Sequence, residues 1–170
     1  MPSYVALLRA VNVGGTGKLP MVRLRAMAEG CGFSDVATYI QSGNLVFRSK
    51  AVEAKVRAEL AQALTKYFRK SADVLIRTQR EIEQILQDNP FPEAAPNRVQ
   101  ILFLPKKAPA DALDDLKIPG GERVVLHGRE IYAHFPNGMG QSKLKLPFAD
   151  VGTARNLNTV AKLASLLTDL

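Results

Sequence analysis

Two clusters of polar residues interrupt this 170-residue chain, and both carry groups suited to holding an anion. In the first, an apolar run from Tyr4 to Val13 opens into a glycine loop with Asn12, Gly14, Gly15 and Lys18, and a second loop supplies Gln41, Ser42, Gly43 and Asn44. Backbone N–H groups at the start of a helix, together with a lysine ammonium, favour a phosphate or carboxylate. Arg9 places a guanidinium inside the apolar run, where it must meet a carboxylate, carbonyls or a ligand; Asp35 and Asp73 are candidate partners. The second cluster is Ser142 and Lys143, followed by Arg155, Asn156 and Asn158 entering the last helix, where Thr153 or Asn156 would serve as the cap.

The named catalytic patterns fail on inspection. A phosphate loop of the form G-x-x-x-x-G-K-[ST] would need glycine where Asn12 stands and a hydroxyl where Leu19 stands. The dinucleotide pattern G-x-G-x-x-G breaks because Gly15 and Gly17 are followed by Pro20 where a third glycine is required. His127 and His134 have no second histidine or cysteine at ligand spacing, so no metal site is expected, and no cofactor either. No G-x-S-x-G context unites a serine with histidine and aspartate. Leu45 to Arg48 lacks the aromatic pattern with which RNA-recognition strands stack bases.

Charge is distributed unevenly. The net is +7, from 23 Lys and Arg against 16 Asp and Glu. Residues 1 to 80 hold 13 basic and 5 acidic side chains, a net of +8, whereas residues 81 to 170 hold 10 and 11. A basic half beside a neutral half suits an anion-binding surface, and equally a solvated face with no partner. A hydrophobic content of 46% with 23% charged residues is that of a globular protein,. The first apolar run is far short of the roughly 18 residues of a spanning helix, and no leader pattern precedes it. The cytoplasm is the expected compartment, with no membrane partner. The single cysteine, Cys31, lies on an apolar helical stripe and reads as a small core residue.

The elements that must position these groups follow from periodicity. Tyr4 to Val13 is apolar at both alternations and predicts a central strand buried on both faces. Leu24, Met27, Ala28 and Cys31 mark a helix that begins at Pro20 and ends at Gly32. A hairpin, Val36 to Gln41 and Leu45 to Arg48, turns at Ser42, Gly43 and Asn44. A helix from Ala51 to Phe68 and a strand from Asp73 to Thr78 complete a split βαβ plan. The second half nearly repeats it: a helix at Arg80 to Gln87, a strand at Val99 to Leu104, a short acidic helix at Ala110 to Leu116, a hairpin through Gly128 and a last helix at Asn156 to Leu167. The reading is an α+β protein of two ferredoxin-like halves packed together: residues 1–78, a helix and proline-rich linker at 79–97, and residues 98–170. In this plan the loop after the first strand and the turn after the second emerge at one sheet edge, joined by Arg69 and Lys70 at the end of the second helix.

The segments Tyr4-Val-Ala-Leu-Leu-Arg9, Asn12-Val-Gly-Gly15 with Lys18, Thr38-Tyr-Ile-Gln-Ser-Gly-Asn44, Ser142-Lys-Leu144 and Thr153-Ala-Arg-Asn-Leu-Asn-Thr159 resemble the bacterial family called domain of unknown function 1697. The likeness covers nearly the whole chain and implies a pair of ferredoxin-like subdomains, with no established reaction, substrate or cofactor. Ala10 stands where the family usually has glycine, and Leu157 where it usually has tryptophan, so stacking at that helix start is not carried over.

Three functional readings stay open from the sequence. The first is a binding module for a phosphate-bearing ligand, a nucleotide or nucleic-acid backbone, held by Asn12, Lys18, Gln41, Ser42 and Asn44. The second is an enzyme on a small phosphorylated or carboxylated metabolite, with Lys18 or Arg9 as anchor and the Ser142–Asn158 cluster closing over it. No general base is evident for that reading, so binding ranks ahead of catalysis. The third is a structural or interaction protein in which both polar clusters knit the halves together.

Overall fold

The computed structural model describes residues 1–9, 19–39 and 43–170. The chain divides into two compact units, Met1–Glu83 with Lys162–Leu170, and Gln84–Ala161.

In the first unit the elements run β1 (Ser3–Arg9), α1 (Met21–Gly30), β2 (Ser34–Tyr39), β3 (Asn44–Arg48), α2 (Glu53–Phe68) and β4 (Asp73–Thr78). The four strands form one sheet in the order β2-β3-β1-β4, every neighbouring pair antiparallel. β1 is buried on both faces, as its unbroken apolar pattern demands: Tyr4 to Leu8 are all at most 3% exposed,. One face, with Tyr4, Ala6, Leu8, Leu45, Phe47, Val74 and Ile76, packs with Leu24 and Ala28 of α1 and Val56, Leu60 and Leu64 of α2. These are the helical positions at three- and four-residue spacing. The Phe33 and Phe47 rings stack there at 4.2 Å. Val5, Leu7, Val46, Leu75 and Arg77 lie on the other face and are buried as well. Cys31 is half-buried against the helix-side core, and burial raises its thiol pKa, with a smaller contribution from Glu59.

α3 (Gln79–Gln87) starts directly from β4 through a capping box. The Glu81 N–H donates to Thr78 Oγ1 at 3.1 Å and the Thr78 N–H donates to Glu81 Oε1 at 2.9 Å,. The second unit then carries β5 (Val99–Phe103), β6 (Arg123–His127), β7 (Glu130–His134), β8 (Thr153–Asn156) and the start of α4 (Leu157–Thr168), whose residues from Lys162 onward belong to the first unit. Its sheet order, β6-β7-β5-β8, has the same plan as the first.

The register makes the repeat specific. Val5 faces Arg77 across β1 and β4, and Ile101 faces Arg155 across β5 and β8. Leu7 faces Asn44, and Phe103 faces Glu130. The Leu8 N–H donates to Gly43 O at 2.9 Å, and the Leu104 N–H to Arg129 O at 2.8 Å. Both arginines are buried, and each donates to the carbonyl of its predecessor, Ile76 at 3.0 Å and Ala154 at 2.9 Å.

Two sequence expectations need correction. Ala110–Leu116 is no helix but a chain of turns, closed by i→i+3 bonds such as Ala112 N–H to Pro109 O at 3.0 Å and Leu116 N–H to Leu113 O at 3.1 Å. Seven residues after a proline leave too little chain to offset helix nucleation. Conversely, Thr153–Asn156, expected to lead into the last helix, forms the edge strand β8. Gly152 makes that pairing feasible, because a Cβ there would lie 2.5 Å from Phe103 O,.

Candidate functional site

The described residues of the first polar cluster meet at one edge of the first sheet. β1 ends there with Arg9, whose register partner is Asp73 at the start of β4. β3 begins there with Asn44, opposite Tyr39 at the end of β2. The loop candidates Asn12, Gly14, Gly15, Lys18, Gln41 and Ser42 lie outside the described residues. Asn44 is fully buried and donates through Nδ2 to Tyr39 O at 3.0 Å, so it stands at the start of β3 rather than in the turn and helps close the hairpin. Gly43 has a φ of 82°, a left-handed conformation that suits glycine, and its carbonyl is fixed on β1,. Arg9 is half-buried. Of the two carboxylates considered for it, Asp73 accepts from Arg57 Nη2 at 2.7 Å, and Asp35 lies 3.9 Å from Arg48.

Two helix ends add charge beside the sheet. α1 has no acidic residue in its first turn and no side-chain cap, so the positive end of its dipole has no side-chain countercharge within that turn, while its Arg23 N–H donates to Pro20 O at 2.9 Å,. Its Arg23 lies over the Tyr67 ring, 5.6 Å from the centroid, which brings the first turn of α1 next to the last turn of α2. Between them runs a groove of ≈510 Å3 lined by Arg23, Ala26, Met27, Ala63, Lys66 and Tyr67. α2 then ends in Arg69, in the left-handed conformation with φ 56°, and both Arg69 and Lys70 are exposed. The chain passes from them into Asp73 and hence to the Arg9 register position.

The second polar cluster is divided between two settings. Arg155, Asn156 and Asn158 belong to the junction of β8 and α4. The Arg155 guanidinium donates to Thr153 Oγ1 at 2.7 Å, and burial lowers its pKa to about 10, so it is charged at neutral pH,. Asn156 caps α4 by accepting the Thr159 N–H at 2.9 Å, and Asn158 is exposed on the first turn,. Ser142 and Lys143 instead line a cleft of ≈350 Å3 with Pro119, Gly120, Glu122, Phe135, Pro136, Asn137, Gly138 and Gln141. Ser142 Oγ donates to Glu122 Oε1 at 2.7 Å and accepts the Leu144 N–H at 3.1 Å. Gly120 N–H donates to Glu122 Oε2 at 2.7 Å. The bond from Ser142 foremost, then its own backbone N–H and, more weakly, that of Gly120, hold the Glu122 carboxyl below the usual glutamate pKa against the opposing effect of desolvation,.

Sequence reasoning passed over Glu122 and Arg77. Glu122 meets Ser142 from 20 residues away, a pairing that no local periodicity reports. Arg77 was legible in principle, since Ile76-Arg77-Thr78 and Ala154-Arg155-Asn156 both set an arginine before a helix cap.

The fold defines an α+β protein built on two four-stranded antiparallel sheets. The family model described as "Protein of unknown function (DUF1697)" matches residues 1–132, and the chain belongs to that family. Among solved structures, the conserved bacterial protein SP0830 from Streptococcus pneumoniae is similar with a TM-score of 0.78 and 24% identity, over 98% of this chain and 98% of that chain. That likeness is one of fold. No curated protein matches the chain. Among the described residues no helix is long and apolar enough to cross a membrane, and no group of three or more His, Cys, Asp or Glu is placed to hold a metal ion.

Proposed function

We propose that the first unit is a cytoplasmic binding module for a phosphate-bearing ligand, a nucleotide or a nucleic-acid backbone, held at the edge where β1 and β2 end. The observation that carries this reading is the gathering of cationic groups at that edge. Arg9 is half-buried at the end of β1, Arg69 and Lys70 are exposed at the end of α2, and Arg23 and Lys66 line the groove beside the uncapped start of α1. Fixed N–H dipoles and clustered cations stabilise phosphate oxygens without any nucleotide motif, which agrees with the failure of the phosphate-loop and dinucleotide patterns. Lys18, Gln41 and Ser42, which follow Arg9 and Tyr39 in sequence, are included in the proposed site on the sequence reading alone.

A thermal-shift screen of nucleotides, phosphorylated metabolites and short nucleic acids at low and high salt tests the proposal. A ligand that binds the native state raises the midpoint by mass action, and an electrostatic ligand does so less at high salt. Lys18→Ala is expected to diminish that rise. A midpoint that no phosphate-bearing compound moves, or one that Lys18→Ala leaves at the wild-type shift, refutes the reading.

A further inference from the structure

Glu122 presents a carboxylate that its surroundings only half explain. The residue is 7% exposed, covered by loops at the rim of its sheet rather than sunk in a core. Its carboxylate accepts from the Ser142 hydroxyl and the Gly120 amide, both at 2.7 Å, and its own backbone N–H adds to their effect. A carboxylate has about four lone-pair positions, so it can accept further donors. No Lys or Arg nitrogen among the described residues lies within 4.0 Å of it. The charge is therefore ionised, shielded and held in place with no cationic side chain of the described residues at ion-pair distance.

It also faces usable space. The adjoining ≈350 Å3 cleft falls within the size range of small-molecule sites,. Phe135 and Pro136 give it an apolar wall, Asn137 and Gln141 bring amides, and Lys143 brings an ammonium. A simple cation entering the cleft meets repulsion from Lys143, and a simple anion meets repulsion from Glu122. A ligand with both charges satisfies both walls.

We propose that this cleft binds a small zwitterion, which sets a hydrogen-bond-donating ammonium or guanidinium on Glu122 and an anionic group toward Lys143. Ser142 is a positioning residue here: by accepting the Leu144 N–H and donating to Glu122 it fixes the carboxylate in one orientation. The site is separate from the phosphate edge of the first unit, and neither proposal depends on the other.

Titration of the full chain with L-arginine, agmatine and N-acetylglycine, followed through the amide resonances of Gly120 and Leu144, tests it. L-arginine carries both charges, whereas the other two probes are purely cationic and purely anionic. L-arginine is expected to shift both resonances saturably, with each of the other two about tenfold weaker or worse. Glu122→Gln, which keeps the shape and removes the charge, is expected to weaken L-arginine by about tenfold, and Lys143→Ala to abolish its advantage over agmatine. Should Glu122→Gln fail to fold, Lys143→Glu decides the matter, because it reverses an exposed charge and is expected to lose L-arginine. No saturable shift with L-arginine overturns the proposal. So does binding that survives Glu122→Gln, or Lys143→Glu, undiminished.

Discussion

β1 and β5 occupy matching places in their sheets, with the same strand order around them and the same buried arginine opposite, yet one face of each is covered differently. Over β1 lie α1 and α2, whose Leu24, Ala28, Val56, Leu60 and Leu64 join Leu8 and Leu45 in a fully buried core. Over β5, the matching Leu104 and Ile131 are met by Ala108, Leu113 and Leu146, which come from irregular chain and are only partly buried. The crossovers that are helices in the first unit are loops in the second. Helices satisfy their own backbone and present flat apolar faces, whereas loops need side chains to fasten them. That need accounts for the Glu122, Ser142 and Gly120 bonds, and it leaves a polar cleft where the first unit has packed helix.

The contrast can be broken most sharply in the two cores. Leu45 and Ile131 hold matching register positions, opposite Ala6 and Leu102, and neither is exposed. Leu45→Ala is expected to cost about 3–5 kcal/mol, because helices on either side collapse poorly into the cavity. Ile131→Ala is expected to cost about 2–3 kcal/mol, because loops relax into it. Chemical denaturation of the two variants gives both values, and equal losses would show that the two coverings are equally rigid.

A smaller effect sharpens the likeness rather than the difference. Thr78 and Asn156 both follow a buried arginine and both cap the next helix. Replacing either by Ala is expected to cost about 1 kcal/mol. Thr78→Ala removes only the bond from the Glu81 N–H to Oγ1, because the Thr78 backbone N–H still donates to the Glu81 carboxylate, so the two losses are expected to be alike,. Denaturation midpoints of Thr78→Ala, Asn156→Ala and the double variant measure this, with additivity expected for separate caps.

The smallest effect concerns pH. The folded Glu122 pKa lies below its unfolded value, so its contribution is fully present above the ordinary glutamate value and disappears as pH falls through the folded one,. Glu122→Gln should therefore lower the thermal midpoint at pH 7 while converging on the wild type toward pH 3. A constant gap across that range would remove the carboxylate from the account of the cleft.

Much of this fold was legible in residue patterns, and the losses have definite causes. The two-sided burial of β1, the helix bounded by Pro20 and Gly32, and β4 at Asp73–Thr78 follow from alternation and helical spacing over long enough segments,. The family resemblance read from the scattered motifs is that of the matching family. β8 escaped because four residues, Thr-Ala-Arg-Asn, are too few and too polar to show a period, and only pairing with β5 makes them a strand,. Ala112, Leu113 and Leu116 mimic a helical stripe that a short segment after Pro109 cannot realise. Of the polar residues, Asn156 was readable as a cap. Asn44 looked like turn chemistry and proved to be a buried hydrogen-bonding residue at a strand start, a distinction that depends on the register Tyr39–Asn44.

The central claim is that phosphate recognition belongs to the edge of the first unit and to its clustered cations. It is tested most directly by the salt dependence of binding a fluorescent single-stranded oligonucleotide, compared between Arg69→Ala/Lys70→Ala and a control, Lys106→Ala/Lys107→Ala, from the second unit. The account predicts a linear fall of log affinity with log salt, reduced in slope by about 1–2 in the first double variant and unchanged in the control. No binding at low salt, or equal loss of slope in both variants, would contradict it.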